Sequence, residues 1–431
     1  MQRTDCRLSA ALVCTLIVWM PTVAVSDDAI ASKAVAIQHT SGDWPQWRGP
    51  HGSGIAEANQ SPPTKWSSTE NAIWKANIPG RGHNSPIVVG DQVIVATADE
   101  EQEIQSVLSF DRKTGVERWR TVVHQGGIDR KGNKKTTQAS ATAACDGQRL
   151  FINFLNRGAI YTTALSLDGR QLWQTKVSDF ATHQGFGSSP ALHGALVYVT
   201  TDSRGGGVVA ALDRVSGKIV WSHDRPAKAN YASATLLTAA GREQLVVHGC
   251  DLVSSFDPAS GKKLWEIDGA TTECVTSLTT DGQRVFVSGG YPRQHVQAVE
   301  ADGSGKTAWE NTTQVYVPSM IVRDGVLYAV LDNGIATCWR TDSGEPLWKE
   351  RLGGTFTASL VLVGENLFAV NEAGECFIYK ASPEKFELAA KNKLGDEVYA
   401  TPAICGSRIY MRVVERTGSQ RQEILYCLGS R

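Results

Sequence analysis

Phe110-Asp111-Arg112-Lys113-Thr114-Gly115-Val116-Glu117-Arg118-Trp119 returns as Phe256-Asp257-Pro258-Ala259-Ser260-Gly261-Lys262-Lys263-Leu264-Trp265. Ala211 to Trp221 and Trp339 to Trp348 carry the same pattern, and Leu167 to Trp173 is a shortened form. The tryptophans at 74, 119, 173, 221, 265, 309 and 348 are separated by 45, 54, 48, 44, 44 and 39 residues. A mean period of about 46 is the length of one propeller blade. Before each turn lies a short stretch of small residues, as at Ser85-Pro86, Ser189-Pro190, Ser233-Ala234 and Thr401-Pro402. Two strands follow it, separated by a Gly or Asp turn: Pro-Ile-Val-Val, Gly90-Asp91, then Gln-Val-Ile-Val-Ala-Thr in residues 86–97. Short strands with turns at this spacing make an all-β fold, and the layout occurs eight times.

The two ends complete each other. The last repeat, from Thr401, has no Trp strand after 423–428, whereas 73–78 is a Trp strand with no blade before it. Pairing 73–78 with 423–428 closes an eight-bladed β-propeller without an open sheet edge. The domain plan is a signal peptide at 1–26, a flexible leader at 27–42, a Trp/Pro/Gly-rich segment at 43–72 packed on the propeller, and the propeller at 73–428. The repeated indoles are expected to pack between blades. Residues 379–390 lack both the Gly turn and the Trp, which makes the seventh blade the expected weak seam.

Composition narrows the function classes. The chain has 431 residues, 42% hydrophobic and 20% charged, with a net charge of −1. That balance gives no electrostatic basis for binding nucleic acid. Arg3 and Arg7, the apolar run from Leu8 to Met20, and Ala24-Val25-Ser26 form an export signal cleaved after Ser26. Thirteen apolar residues are too few to span a bilayer, so no membrane span is expected and the mature protein is periplasmic or secreted. Seven cysteines remain after cleavage, at scattered positions within apolar strands, and read as free buried thiols. There is no CxxC, HExxH or GxSxG, so zinc, haem and serine-hydrolase chemistry have no support.

Asp43-Trp44-Pro45-Gln46-Trp47-Arg48-Gly49-Pro50-His51-Gly52-Ser53-Gly54 cannot form a helix or a central strand. It is expected to run across the body of the domain with its indoles filling apolar gaps, an exposed aromatic binding clamp being the functional alternative.

The Asp-x-x-Ser/Thr-Gly-x-x-x-Trp turn, after its Ser-Pro opening and two strands, resembles the pyrroloquinoline-quinone (PQQ) repeat. That repeat builds the propellers of quinoprotein alcohol dehydrogenases and of an outer-membrane assembly lipoprotein. Trp-Pro-Gln-Trp-Arg-Gly-Pro and His183-Gln184-Gly185-Phe186-Gly187-Ser188-Ser189-Pro190 are similar to exported PQQ-like propeller proteins of planctomycete-type bacteria. For an enzyme of this kind the resemblance implies a vicinal Cys-Cys cover over the quinone, a Trp beneath it, and carboxylates holding Ca²⁺ as a Lewis acid. Here no two cysteines are adjacent; the closest mature pair is Cys250 and Cys274.

Residues just before each innermost strand should ring one mouth of the central channel. They are Arg81, His83, Asn84, Lys135, Gln138, His183, Phe186, Tyr231, Glu273, Tyr316, Phe356 and Tyr399. Aromatic groups mixed with a few polar ones are the lining of a ligand pocket. The loop Gly126 to Lys135, with four cations near its end, is expected to lie exposed near the same mouth. A binding or scaffold module is therefore expected: a monomer engaging a protein or small-molecule ligand at the channel mouth, with no metal and no cofactor. A PQQ- and Ca²⁺-dependent dehydrogenase of alcohols or sugars is the alternative, and Glu273 is the carboxylate placed to matter there.

Overall fold

The computed structural model describes residues 36–430 together with residue 2, so the export signal expected at 1–26 lies, Gln2 aside, outside the described residues. Every regular element described is a strand. The strands form eight separate four-stranded antiparallel sheets, the blades of a propeller. Blades 1 to 7 span residues 87–125, 144–179, 191–225, 235–268, 279–311, 321–351 and 361–393. Blade 8 joins residues 403–428 to the strand Ala72–Ile78. There Trp74 pairs with Cys427 and Ile78 with Glu423, as the sequence implies. A buried ion pair seals this blade: Glu423 accepts from Arg412 Nε at 2.6 Å and from Arg421 Nη2 at 2.8 Å.

Each part of the repeated motif has a physical reason. Asp111 opens the turn by accepting the Lys113 and Thr114 amides and the Thr114 hydroxyl at 2.9–3.0 Å, a side-chain cap that fixes the turn locally. Asp213 and Asp257 do the same with Ser216 and Ser260. Gly115, Gly217, Gly261 and Gly344 all have φ near +72°, a region costly for other residues. The glycine is needed a second time because the preceding blade's indole lies against it. A Cβ on Gly115 would sit 2.6 Å from the Trp74 ring, and one on Gly261 would sit 2.5 Å from the Trp221 ring.

The indole also donates into that neighbouring turn. Trp74, Trp119, Trp173, Trp221, Trp309 and Trp348 give their Nε1 hydrogens to the carbonyls of Arg112, Leu167, Arg214, Pro258, Thr341 and Ser382 at 2.8–3.2 Å. Trp265 instead donates to Gln244 of its own blade. The tryptophans thus staple blade to blade, as expected.

Blade 7 carries Ala390 at the register position where other blades carry Trp, opposite Ile378. The space is filled from elsewhere: Trp66 is buried, stacks 6.5 Å from Phe368 of blade 7, and shares a buried cluster with Tyr410 of blade 8. Asn392 holds it in place, accepting the Trp66 amide and donating to the Thr64 carbonyl. The seam expected to be weakest is therefore packed by an indole from the N-terminal segment.

That segment is a strap. Trp44 bridges Val88 of blade 1, the Pro45 carbonyl accepts from Cys145 of blade 2, and Arg48 Nη2 donates to the Met320 carbonyl beside blade 6. Gly54 and Ala56 pair with Leu362 of blade 7. Residues 36–42, read as the end of a flexible leader, also dock: Gln38 donates to the Asp146 carbonyl and Ile37 packs at the seam of blades 2 and 3. All seven cysteines from Cys145 onward are free and buried. No described helix is long and apolar enough to cross a membrane.

Candidate functional site

The small residue opening each repeat builds a belt around the channel. The Ser85 amide donates to Thr142 Oγ1, Thr142 to Ser189 Oγ, and Ser189 to Ser233 Oγ. The pattern resumes from Ser277 to Ser319, Ser319 to Ser359 and Ser359 to Thr401, all at 2.8–3.0 Å. Between Ser233 and Ser277 the strap intervenes, and Ser277 Oγ accepts the Trp47 indole hydrogen at 2.7 Å instead. At Thr142, Ser189, Ser233, Ser319, Ser359 and Thr401 the hydroxyl satisfies an amide of the neighbouring blade that a buried apolar side chain would leave unpaired.

On one side of Trp47 the channel widens into a cavity of about 800 Å³, within the range of ligand pockets. On its other side lies a smaller cavity of about 280 Å³ between the strap and blades 3 and 4. Trp47, Ser189 and Ser233 line both, so the indole is a floor that makes the larger cavity a cup.

Eight of the twelve residues expected at the mouth line this cup: His83, Lys135, His183, Phe186, Tyr231, Glu273, Tyr316 and Tyr399. The other four do not. Asn84 is buried and ties blades 1 and 2 together by donating to the Ala96 and Ala139 carbonyls. Phe356 is wholly buried in the core of blades 6 and 7. Arg81 forms a backbone bridge with Ala98, and Gln138 accepts from Gln105 through its carbonyl, outside the cup. In a loop one residue of offset turns a side chain from channel to seam, which residue order alone does not report.

The cup has two polar walls. On one, Glu273 is buried, accepts from Tyr316 Oη at 3.3 Å and lies 3.4 Å from His183 Nε2. Arg204 Nη2 meets the same histidine nitrogen at 2.8 Å. Tyr316 is fixed through its amide by Asp332, whose carboxyl burial pushes above the usual range. Burial, then the Glu273 charge, raises the Tyr231 and Tyr316 phenols, so both stay protonated donors.

On the opposite wall, His83 stacks on Tyr399 with ring centroids 4.3 Å apart. Burial and then Arg412 hold its pKa down at about 3, so it is neutral at ordinary pH. Lys135 spans to Glu372 of blade 7 at 2.8 Å, so the cationic loop is latched to the far rim rather than free. Sequence reasoning read Trp47 first as a filler of apolar gaps and only second as a binding aromatic, and it missed Arg204. Trp47 lies 230 residues from Ser277, which accepts its indole hydrogen, and Arg204 sits after the second strand of its blade. Glu273 is the carboxylate in the cup lining. Among the described residues no group of three or more His, Cys, Asp or Glu gathers closely enough to hold a metal ion.

Comparisons agree with this architecture. The chain is 26% identical over 356 residues to the outer membrane protein assembly factor BamB of Burkholderia pseudomallei (strain K96243), covering 78% of this chain and 84% of that protein. It is 26% identical over 194 residues to a polyvinylalcohol dehydrogenase of Pseudomonas sp, covering 41% of this chain and 28% of that one. Among solved structures, BamB from Moraxella catarrhalis superposes with a TM-score of 0.55 at 13% identity, covering 82% of this chain and 96% of that one. A europium-containing methanol dehydrogenase gives 0.65 at 12% identity, covering 91% and 99%. At such identities the structural likeness speaks for the fold alone. The family described as outer membrane protein assembly factor BamB matches residues 64–182, 105–350 and 292–385. With that match running from ahead of the first strand into blade 7, the chain belongs to the PQQ_2 family of β-propellers.

Proposed function

We propose that this chain is an exported, periplasmic or secreted binding or scaffold module whose ligand or partner enters the cup. The observation that carries the reading is the cup itself: a channel closed at its floor by Trp47 and walled by aromatic and hydrogen-bonding side chains. The N-terminal export pattern and the relatives named as assembly factors support it.

The alternative, a PQQ- and Ca²⁺-dependent dehydrogenase, draws on the likeness to the polyvinylalcohol dehydrogenase and on Glu273 beside Tyr316 and His183. The donor set argues against it. Calcium takes six to eight oxygens, several from carboxylates, whereas the cup lining offers Glu273, already engaged by Tyr316.

Thermal unfolding with PQQ plus Ca²⁺ separates the two readings. A ligand at 100-fold over its Kd stabilises by about 2.7 kcal/mol, an easily read rise in Tm. We expect no rise and no quinone absorption band. A clear rise that Glu273→Gln abolishes would make the dehydrogenase reading the leading one.

A further inference from the structure

Resting on the binding role just proposed, the chemistry of the cup narrows its ligand. Twelve lining side chains bear hydroxyls, against three with formal charges. Lys135 is paired with Glu372, and Arg204 and Glu273, opposite in charge, both reach His183 Nε2. Counted with Glu372, the two cations and two anions sum to zero, so the cup offers no net attraction to an anionic ligand. Five belt residues bearing hydroxyls line this space: Thr142, Ser189, Ser233, Ser359 and Thr401. Each accepts a backbone amide hydrogen from the belt residue before it: Ser85, Thr142, Ser189, Ser319 and Ser359 respectively. Among the described residues none of the five donates its own proton to a protein acceptor. A hydroxyl that accepts and retains its proton is a donor held ready for a ligand oxygen.

The remaining surface is aromatic. Trp47 forms the floor, and the stacked pair His83 and Tyr399 forms one wall. Flat rings match the C–H faces of a sugar, while neutral donors match its oxygens. Because Trp47 blocks the passage, a polymer cannot thread through the ring; only its end fits.

We infer that the cup binds the terminal unit of a neutral polyhydroxylated chain, a glycan end, with Trp47 as its platform.

Calorimetric titration of the full chain with maltotetraose, cellotetraose, xylotetraose and chitotetraose tests this. At least one should bind saturably with a 1:1 stoichiometry, and Trp47→Ala should weaken it by about tenfold. Trp47→Phe, which retains a flat platform, should retain most of the affinity and guards against misfolding of the alanine variant. For the series that binds, affinity per chain should stay constant as the chain is lengthened, because only ends enter. Failure of all four at millimolar concentration would overturn the inference, as would binding indifferent to Trp47→Ala. Affinity per chain that rises with the number of internal units would also overturn it. Binding of poly(vinyl alcohol) in place of every glycan would show a synthetic-polyol site and overturn the glycan assignment. If PQQ binds the cup while the glycans do not, this inference fails although a ligand-binding cup survives.

Discussion

The staple between blades 3 and 4 gives a prediction whose size follows from geometry. Gly261→Ala adds a methyl 2.5 Å from the Trp221 ring at a residue with φ +72°. The left-handed backbone alone costs about 1–2 kcal/mol, and pushing a packed ring aside adds roughly 1–3 kcal/mol. The single variant should therefore lose about 2–5 kcal/mol. Trp221→Ala removes a ring packed near Tyr198 and Phe256 and its bond to Pro258, at a cost of about 3–5 kcal/mol. In the double variant the methyl meets empty space, so only the backbone cost remains and the pair should couple by roughly 1–3 kcal/mol. Urea denaturation of the four proteins, compared at equal m-values, measures the coupling. Costs that add to within about 0.5 kcal/mol would mean that the ring and the turn do not press on each other.

Three further outcomes are expected. Trp66→Ala should destabilise by about 3–5 kcal/mol, like a repeat tryptophan, and an unchanged urea midpoint would show that blade 7 does not depend on the strap. Glu423→Gln leaves Arg412 buried without its carboxylate at the closing blade and should cost about 3–5 kcal/mol, read in the same assay. Stability should also fall as pH drops from about 6.5 toward 3. Burial is the largest cause lowering His83 and His248 to about 3 and His124 to about 4, aided by Arg412, Arg225 and Arg157 respectively. In that window the unfolded chain binds protons that the folded chain refuses. Urea midpoints equal at pH 7 and pH 4.5 would contradict this.

Blade count and closing strand were legible from the residues alone, because the information is local and repeated. Asp111, Thr114 and Gly115 set their turn within five residues, and the same set recurs at Asp257, Ser260 and Gly261. Alternating strands then follow at a period that only a ring satisfies.

Which residues meet in the middle of that ring is settled only once the blades are packed. Trp47 reaches Ser277 across 230 residues, Arg48 reaches Met320 across 272, and Trp66 reaches Asn392 across 326. Such contacts leave no periodic trace, since nothing near Trp47 in sequence differs from a residue filling any apolar gap. The same reason explains the split among the expected mouth residues: His83 and Asn84 are adjacent, yet one lines the cup and the other locks a seam. Side-chain direction in an irregular loop is fixed by the blades packed around it, not by the loop's own residues.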